Sequence, residues 1–345
     1  MERKACILSI DGGGIRQIIP GLILNYIEGE LRKTSKAYRI SDFFDLVVGT
    51  DMGGILATMY VVPDETGRSK YTSAEAVEVF LKHGSDIFDI SLLKKIRSMG
   101  GMTDEKYSSR KLEALLRNLI GDNRLGDAVK PIMLTAYDVR NRQSNFYSYT
   151  DAQNPIRNFY LRDLCRASAA IPTYFETARV ESETGTPFSL ISGNLFAANP
   201  SMMAYAEARK MDFSNLLNNP DKPVCPLAQD LFILSIGTGE VKNPYYYDSV
   251  KDWGNLNWLK PIIDISYSAN SEAIDYQMQQ LFDTTTSSDD YFRMNPQLKG
   301  SSSEIDDASE ENIRNLVALS EEYIIAHKSE LDQIIEKLIA YNRAE

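Results

Sequence analysis

Short apolar runs that end in glycine turns, with helical stretches between them, recur along this chain. "ACILSI" leads into Asp11 and three glycines, and "FFDLVVGT" leads into Asp51. "PIMLTAYDV" covers 131–139, "FSLISGN" covers 188–194 and "LFILSIGTG" covers 231–239. Between them "PGLILNYIEGELRK", "SAEAVEVFLKHG", "SSRKLEALLRNLIG" and "PSMMAYAEARKM" show helical periodicity. This alternation predicts an α/β fold, a three-layer α/β/α sandwich with a mostly parallel central sheet. Ligands of such sheets bind beyond the carboxyl ends of the strands. The turns after Ile10, Val48, Ile191 and Ile236 fall at such ends. A core is expected over residues 5–205. Residues 206–345 are expected to continue the same domain and to end in one or two amphipathic helices. The stretch 287–312 is the most loop-like.

A net charge of -11 argues against nucleic acid as the main partner, because phosphate binding wants a basic face. The three cysteines are widely spaced and suggest neither a zinc site nor a disulfide framework. The two histidines, His83 and His327, lie in helical stretches, so a Ser-His-Asp triad has few candidates. No signal peptide and no run of transmembrane length is read. The expectation is a cytoplasmic protein that needs no metal and no cofactor.

"SIDGGGIRQIIPG" sets Gly12, Gly13 and Gly14 between a strand and a helix. Open amides at a helix start make an anion site, for a pyrophosphate or for the oxyanion of an acyl-transfer intermediate. Arg16 adds a positive charge one turn in. Gln17 stands where a dinucleotide fingerprint would carry its last glycine, and no Walker lysine follows. "FDLVVGTDMGG" has the strand, turn and helix context of a nucleophile elbow. Gly49 and Gly53 take the two glycine places, and the residue between them is Asp51. Asp51 also reads as a plain helix-start residue that tolerates positive φ.

Together these motifs resemble the patatin-like phospholipases. "DGGGIR" is similar to that family's oxyanion loop, and "GTDMGG" to its G-x-S-x-G elbow. "LCRASAAIPTYFE" at 164–176 and "SLISGNLFAANP" at 189–200 are similar to later familial segments, as are "ILSIGTG", "WGNLNWLKPIIDI" and "YFRMN". The resemblance implies hydrolysis of lipid or acyl esters by a Ser-Asp dyad without histidine. The departures fall on the two catalytic positions. The elbow serine position holds Asp51, and the later aspartate position holds Ser192, followed by Gly193. A decaying site rarely gains each residue at the other's place. The leading expectation is therefore a working but slower hydrolase, with Ser192 as nucleophile and Asp51 as base, joined by a hydrogen bond of about 2.6–3.0 Å. The oxyanion donors are expected from Gly12, Gly13 and Gly14. A pseudoenzyme that binds lipid without cleavage, two introduced substitutions, and, more distantly, nucleotide binding remain as alternatives. The helix start would lower the Asp51 pKa and burial would raise it; sequence alone leaves that balance open.

Residues 89–109 mix Lys94, Lys95 and Arg97 with Leu92, Leu93, Ile96, Met99 and Met102. That composition suits a transient contact with a membrane surface, although a helix with one buried and one wet face explains it more simply.

Overall fold

The computed structural model describes residues 3–89, 105–285 and 288–342. Segment 89–109 therefore lies largely outside the described residues. Eight strands form one sheet. They are β1 (Ala5–Ile10), β2 (Leu46–Gly49), β3 (Ile132–Asp138), β4 (Gln143–Ser148), β5 (Ala178–Glu181), β6 (Pro187–Ser192), β7 (Leu231–Ile236) and β8 (Tyr291–Met294). The order is β5-β6-β3-β2-β1-β7-β8, with β4 also on β3. β1, β2, β3, β7 and β8 are mutually parallel, whereas β4, β5 and β6 pair antiparallel.

The nine longer helices of the described residues are α1 (Ile18–Leu31), α2 (Met52–Val61), α3 (Ser73–Ile87), α4 (Ser109–Ile120), α5 (Leu161–Ser168), α6 (Ser201–Ala208), α7 (Asn255–Asp283), α8 (Glu310–Ala326) and α9 (Lys328–Asn342). They form two layers. Cys6, Leu8 and Ile10 of β1 pack with α1 to α5, α8 and α9, whereas Ala5 and Ile7 pack with α6 and α7. Side chains alternate across a strand, and β1 is buried throughout, so both faces are covered. This is the three-layer sandwich that the alternation of elements predicts. Burying each such Leu or Ile side chain contributes about 1.5–3 kcal/mol.

Two expectations need correction. The stretch 287–312 contains a strand, β8, which pairs with β7 from Ile233↔Tyr291 to Ile236↔Met294. The strand ending at Ser192 runs antiparallel to its neighbour rather than with the parallel set.

That antiparallel approach positions the site. β4 covers one edge of β3 from Met133 to Asp138. The other edge is shared: β2 pairs up to Gly49↔Leu134, and β6 takes over at Ala136↔Ser192. Had β2 run on straight, residue 51 would have paired with Ala136. The chain turns away at the elbow instead, and Ser192 arrives from the opposite direction to fill that ladder position. Residues 51 and 192 thus meet end to end at the carboxyl edge of the sheet.

Candidate active site

The elbow is tight for identifiable reasons. Asp51 takes φ 52, the left-handed side of backbone space, which costs on the order of 1–3 kcal/mol for a residue with a side chain. A Cβ on Gly53 would meet the Asp11 carbonyl oxygen at 2.3 Å, and one on Gly49 would meet the Gly53 carbonyl oxygen at 2.4 Å. Helix α2 can start only because both places are bare.

The first glycine turn packs directly against the elbow. Gly12 donates its amide to the Ala198 carbonyl at 3.1 Å. It is therefore not a free donor, although the sequence predicts Gly12 among three open amides. Gly13 and Gly14 donate to Asp51 Oδ2 at 2.9 and 3.0 Å. Gly14 has φ 58, and a Cβ there would meet the Ile305 carbonyl oxygen at 1.9 Å. The turn is held from below by Gln17, whose Nε2 donates to the Asp11 carbonyl at 2.7 Å. Gln17, which stands in the place of a dinucleotide fingerprint's last glycine, is thus a strut. Asp11 itself pairs with Arg293 of β8, Nη1 to Oδ1 at 2.9 Å and Nη2 to Oδ2 at 2.5 Å.

Asp51 is buried. Burial pushes its pKa up to about 6; the Gly14, Gly13 and Met52 amides and the Arg16 guanidinium work the other way. Desolvation therefore outweighs the helix start. Arg16 is itself held below its ordinary value, at about 10, by burial, with Asp264 and Asp51 opposing the shift. Its Nε is buried with no hydrogen-bond partner.

Because the carboxyl group binds its proton more tightly when folded than unfolded, it costs stability above its folded pKa. The loss develops as pH rises from about 4 to 6 and is on the order of 3 kcal/mol. Asp51→Asn keeps an oxygen for the two amides without the charge. Its unfolding free energy in urea is expected to exceed that of the parent at pH 7.5 and to match it near pH 4. An advantage that does not change between those two pH values would contradict this account.

Ser192 is buried at the end of β6. Its amide donates to Ala170 O at 2.9 Å, and its Oγ accepts from the Asn194 amide at 3.1 Å. Among the described residues no hydrogen bond joins Ser192 Oγ to Asp51, so the expected bond between them is not present at rest. Asp51 looks toward the glycine amides instead. The segment after Ser192 is clamped by Asn270 of α7, which donates to Phe196 O and accepts from the Ala198 amide. A Cβ on Gly193 would meet Thr135 Oγ1 at 2.1 Å, which explains that glycine.

Two residues of the site escape sequence reading. Asn194 follows Gly193, and its Oδ1, buried and without a partner, lies where a Cβ on Gly12 would have to go. Tyr267 of α7 has a buried hydroxyl without a partner, and nothing in its local sequence marks it. Gly12, Gly13, Arg16, Asn194 and Tyr267 line one cavity of about 120 Å³. His83 is half exposed on α3, and His327 stacks on Tyr323 after α8, so neither belongs to this site.

The comparisons with known proteins concern the chain as a whole. The family model described as "Patatin-like phospholipase" matches residues 8–205. The chain belongs to the patatin-like phospholipase family. Patatin-like protein 1 of Arabidopsis thaliana is 33% identical over 92% of this chain and 81% of its own length. Patatin-like protein 2 of Oryza sativa subsp. indica is 34% identical, covering 96% and 86%. Patatin group D-2 of Solanum tuberosum is 30% identical, covering 93% and 84%. Membership of the patatin-like phospholipases makes this an enzyme of the esterase and lipase type. Among the described residues no helix is long and apolar enough to cross a membrane.

Proposed function

We propose that this patatin-like chain hydrolyses lipid acyl esters, in the manner of a phospholipase A, with an exchanged and histidine-free pair. Ser192 is the nucleophile, Asp51 its base, and the Gly13 and Gly14 amides the oxyanion donors. The single observation behind this reading is the convergence of those two amides on one oxygen at 2.9 and 3.0 Å, the donor geometry a tetrahedral intermediate needs. At rest the oxygen belongs to Asp51, so an entering substrate carbonyl has to displace the carboxylate. A carboxylate that titrates near pH 6 and leaves its amide donors becomes a better base for the Ser192 proton. The pairing of amides with an internal carboxylate speaks against a phosphate cradle and hence against nucleotide binding. Work in the cytoplasm, with transient membrane contact through 89–109, completes the reading.

A second reading draws on the Ser192 hydroxyl, which is engaged with the Asn194 amide. In it the chain binds acyl lipid and does not cleave it. A fluorophosphonate probe separates the two. The hydrolase reading expects a covalent adduct on Ser192, absent from Ser192→Ala. If the parent stays unlabelled while Asp51→Ser with Ser192→Asp is labelled at position 51, the binding reading replaces it.

A further inference from the structure

Asp51 has nucleophilic chemistry of its own at the elbow. The turn that would present a serine presents a carboxylate, and both glycine amides fall on Oδ2, which leaves Oδ1 outside that pair. A carboxylate is poorly matched to an ester substrate, because attack on an acyl carbon forms an anhydride less stable than the ester consumed. Attack on a strained sp3 carbon forms an ordinary ester and releases the strain. The carbonyl oxygen of that ester would be Oδ2, already seated in the donors that stabilise ester hydrolysis. The protein's own side chain then becomes the acyl group that the patatin frame hydrolyses. A proton donor lines the adjoining cavity. The buried Tyr267 hydroxyl shares that cavity with Gly12, Gly13 and Asn194, a Cβ on Gly12 would meet Asp51 Cβ at 3.1 Å, and burial and the Asp51 charge keep the phenol protonated.

We propose that this site hydrolyses an aliphatic epoxide to a diol through a covalent ester of Asp51. Oδ1 attacks one oxirane carbon, the new C–O bond forms, the ring C–O bond breaks, and the leaving alkoxide takes the Tyr267 proton. Water then attacks Asp51 Cγ and gives a proton to the Tyr267 phenolate, while the Gly13 and Gly14 amides hold the oxyanion at Oδ2. Collapse breaks the Cγ–Oδ1 bond. The departing alkoxide takes the proton of the newly added hydroxyl, and carboxylate and phenol are both restored. Epoxide and water are consumed and diol is released, with no oxidant or metal in the balance. Asp51 is ionised at neutral pH, having a pKa of about 6, and burial strips it of the water that would blunt it.

The proposal does not rest on Ser192 as a nucleophile, and its test is separate from the ester and probe assays. The full chain, in excess over 1,2-epoxyhexane, is taken through one turnover in oxygen-18 water. The expected result is a diol without label and one oxygen-18 atom in the Asp51 carboxylate, read by peptide mass spectrometry. Tyr267→Phe is expected to slow diol formation about a hundredfold, with the peptide label still at Asp51. Diol formation no faster than in buffer overturns the proposal. So does label found in the diol of the first turnover while Asp51 stays unlabelled.

Discussion

Exchanging the pair, Asp51→Ser with Ser192→Asp, is expected to raise kcat/KM for p-nitrophenyl butyrate about a hundredfold or more over the parent. Two physical changes combine. The Asp51 carboxylate now fills the site of the Gly13 and Gly14 amides, so a substrate carbonyl competes with a charge already bound there. A serine at position 51 is too short to reach those donors and leaves them for the substrate. The second change concerns placement. The elbow sets residue 51 at the start of α2, whereas Ser192 sits on the facing strand with its hydroxyl tied to the Asn194 amide. A nucleophile displaced by about 1 Å loses on the order of a hundredfold in rate, and the exchange recovers that distance. The end-to-end meeting of β2 and β6 over Leu134 and Ala136 brings the longer carboxylate at 192 toward the new serine. Each single variant is expected to stay at or below the parent, since one carries two hydroxyls and the other two carboxylates. Failure of the double variant to exceed the parent would mean that the frame no longer supports acyl transfer and would remove the basis of the hydrolase reading.

The readable parts of this chain are those whose fate was decided locally. β1, β2, β3 and β7 are continuous apolar runs buried from end to end or nearly so, and such runs declare themselves. β4 ("QSNFYS"), β5 ("ARVE") and β8 ("YFRM") carry no strand signal in their sequence. They are short or polar, and they are extended because a neighbour offers a ladder, not because their residues insist on it. The 29-residue α7 (Asn255–Asp283) carries Pro261 within it and scatters its apolar residues, with Leu256, Ile262, Ile263 and Ile265 exposed, so no single apolar stripe announces it. At the site, the spacing of glycines revealed the elbow, and the exchange of Asp and Ser was visible once both motifs were aligned. The direction of the Asp51 side chain was not. It depends on amides 37 and 38 residues earlier in the chain, which only packing brings near. The balance of burial against helix start at Asp51 was likewise a property of the folded interior. Tyr267 belongs to the same class, because a distant helix brings it to the cavity.

Arg293 shows how far that dependence reaches, and Arg293→Met is expected to cost about 3–5 kcal/mol of unfolding free energy at pH 7. The guanidinium of β8 makes two bonds to the Asp11 carboxylate and one each to Ser235 Oγ at 2.8 Å and Ser271 Oγ at 3.0 Å. Burial, and to a lesser degree the Asp275 charge, drives the Asp11 pKa up, and Arg293 is what opposes it. Without the cation, Asp11 is a buried carboxylate with no partner charge, which is costlier than losing the pair altogether. Two features distinguish this from a lost packing contact. Asp11→Asn combined with Arg293→Met should recover much of the stability, because neither buried charge remains. The deficit of Arg293→Met alone should also shrink as pH falls toward 5. Asp11 has a raised folded pKa, so protonation favours the folded state there, and the unpaired charge disappears. Urea denaturation of the three chains at pH 7 and pH 5 reads both effects. A deficit below about 1 kcal/mol, or one the double variant does not relieve, would mean that Arg293 acts by shape alone. The consequence for function follows from chain order: Asp11 stands two residues before Gly13, the first of the two glycines whose amides meet Asp51. An edge strand absent from the sequence reading thereby fixes the loop that the sequence displays most plainly.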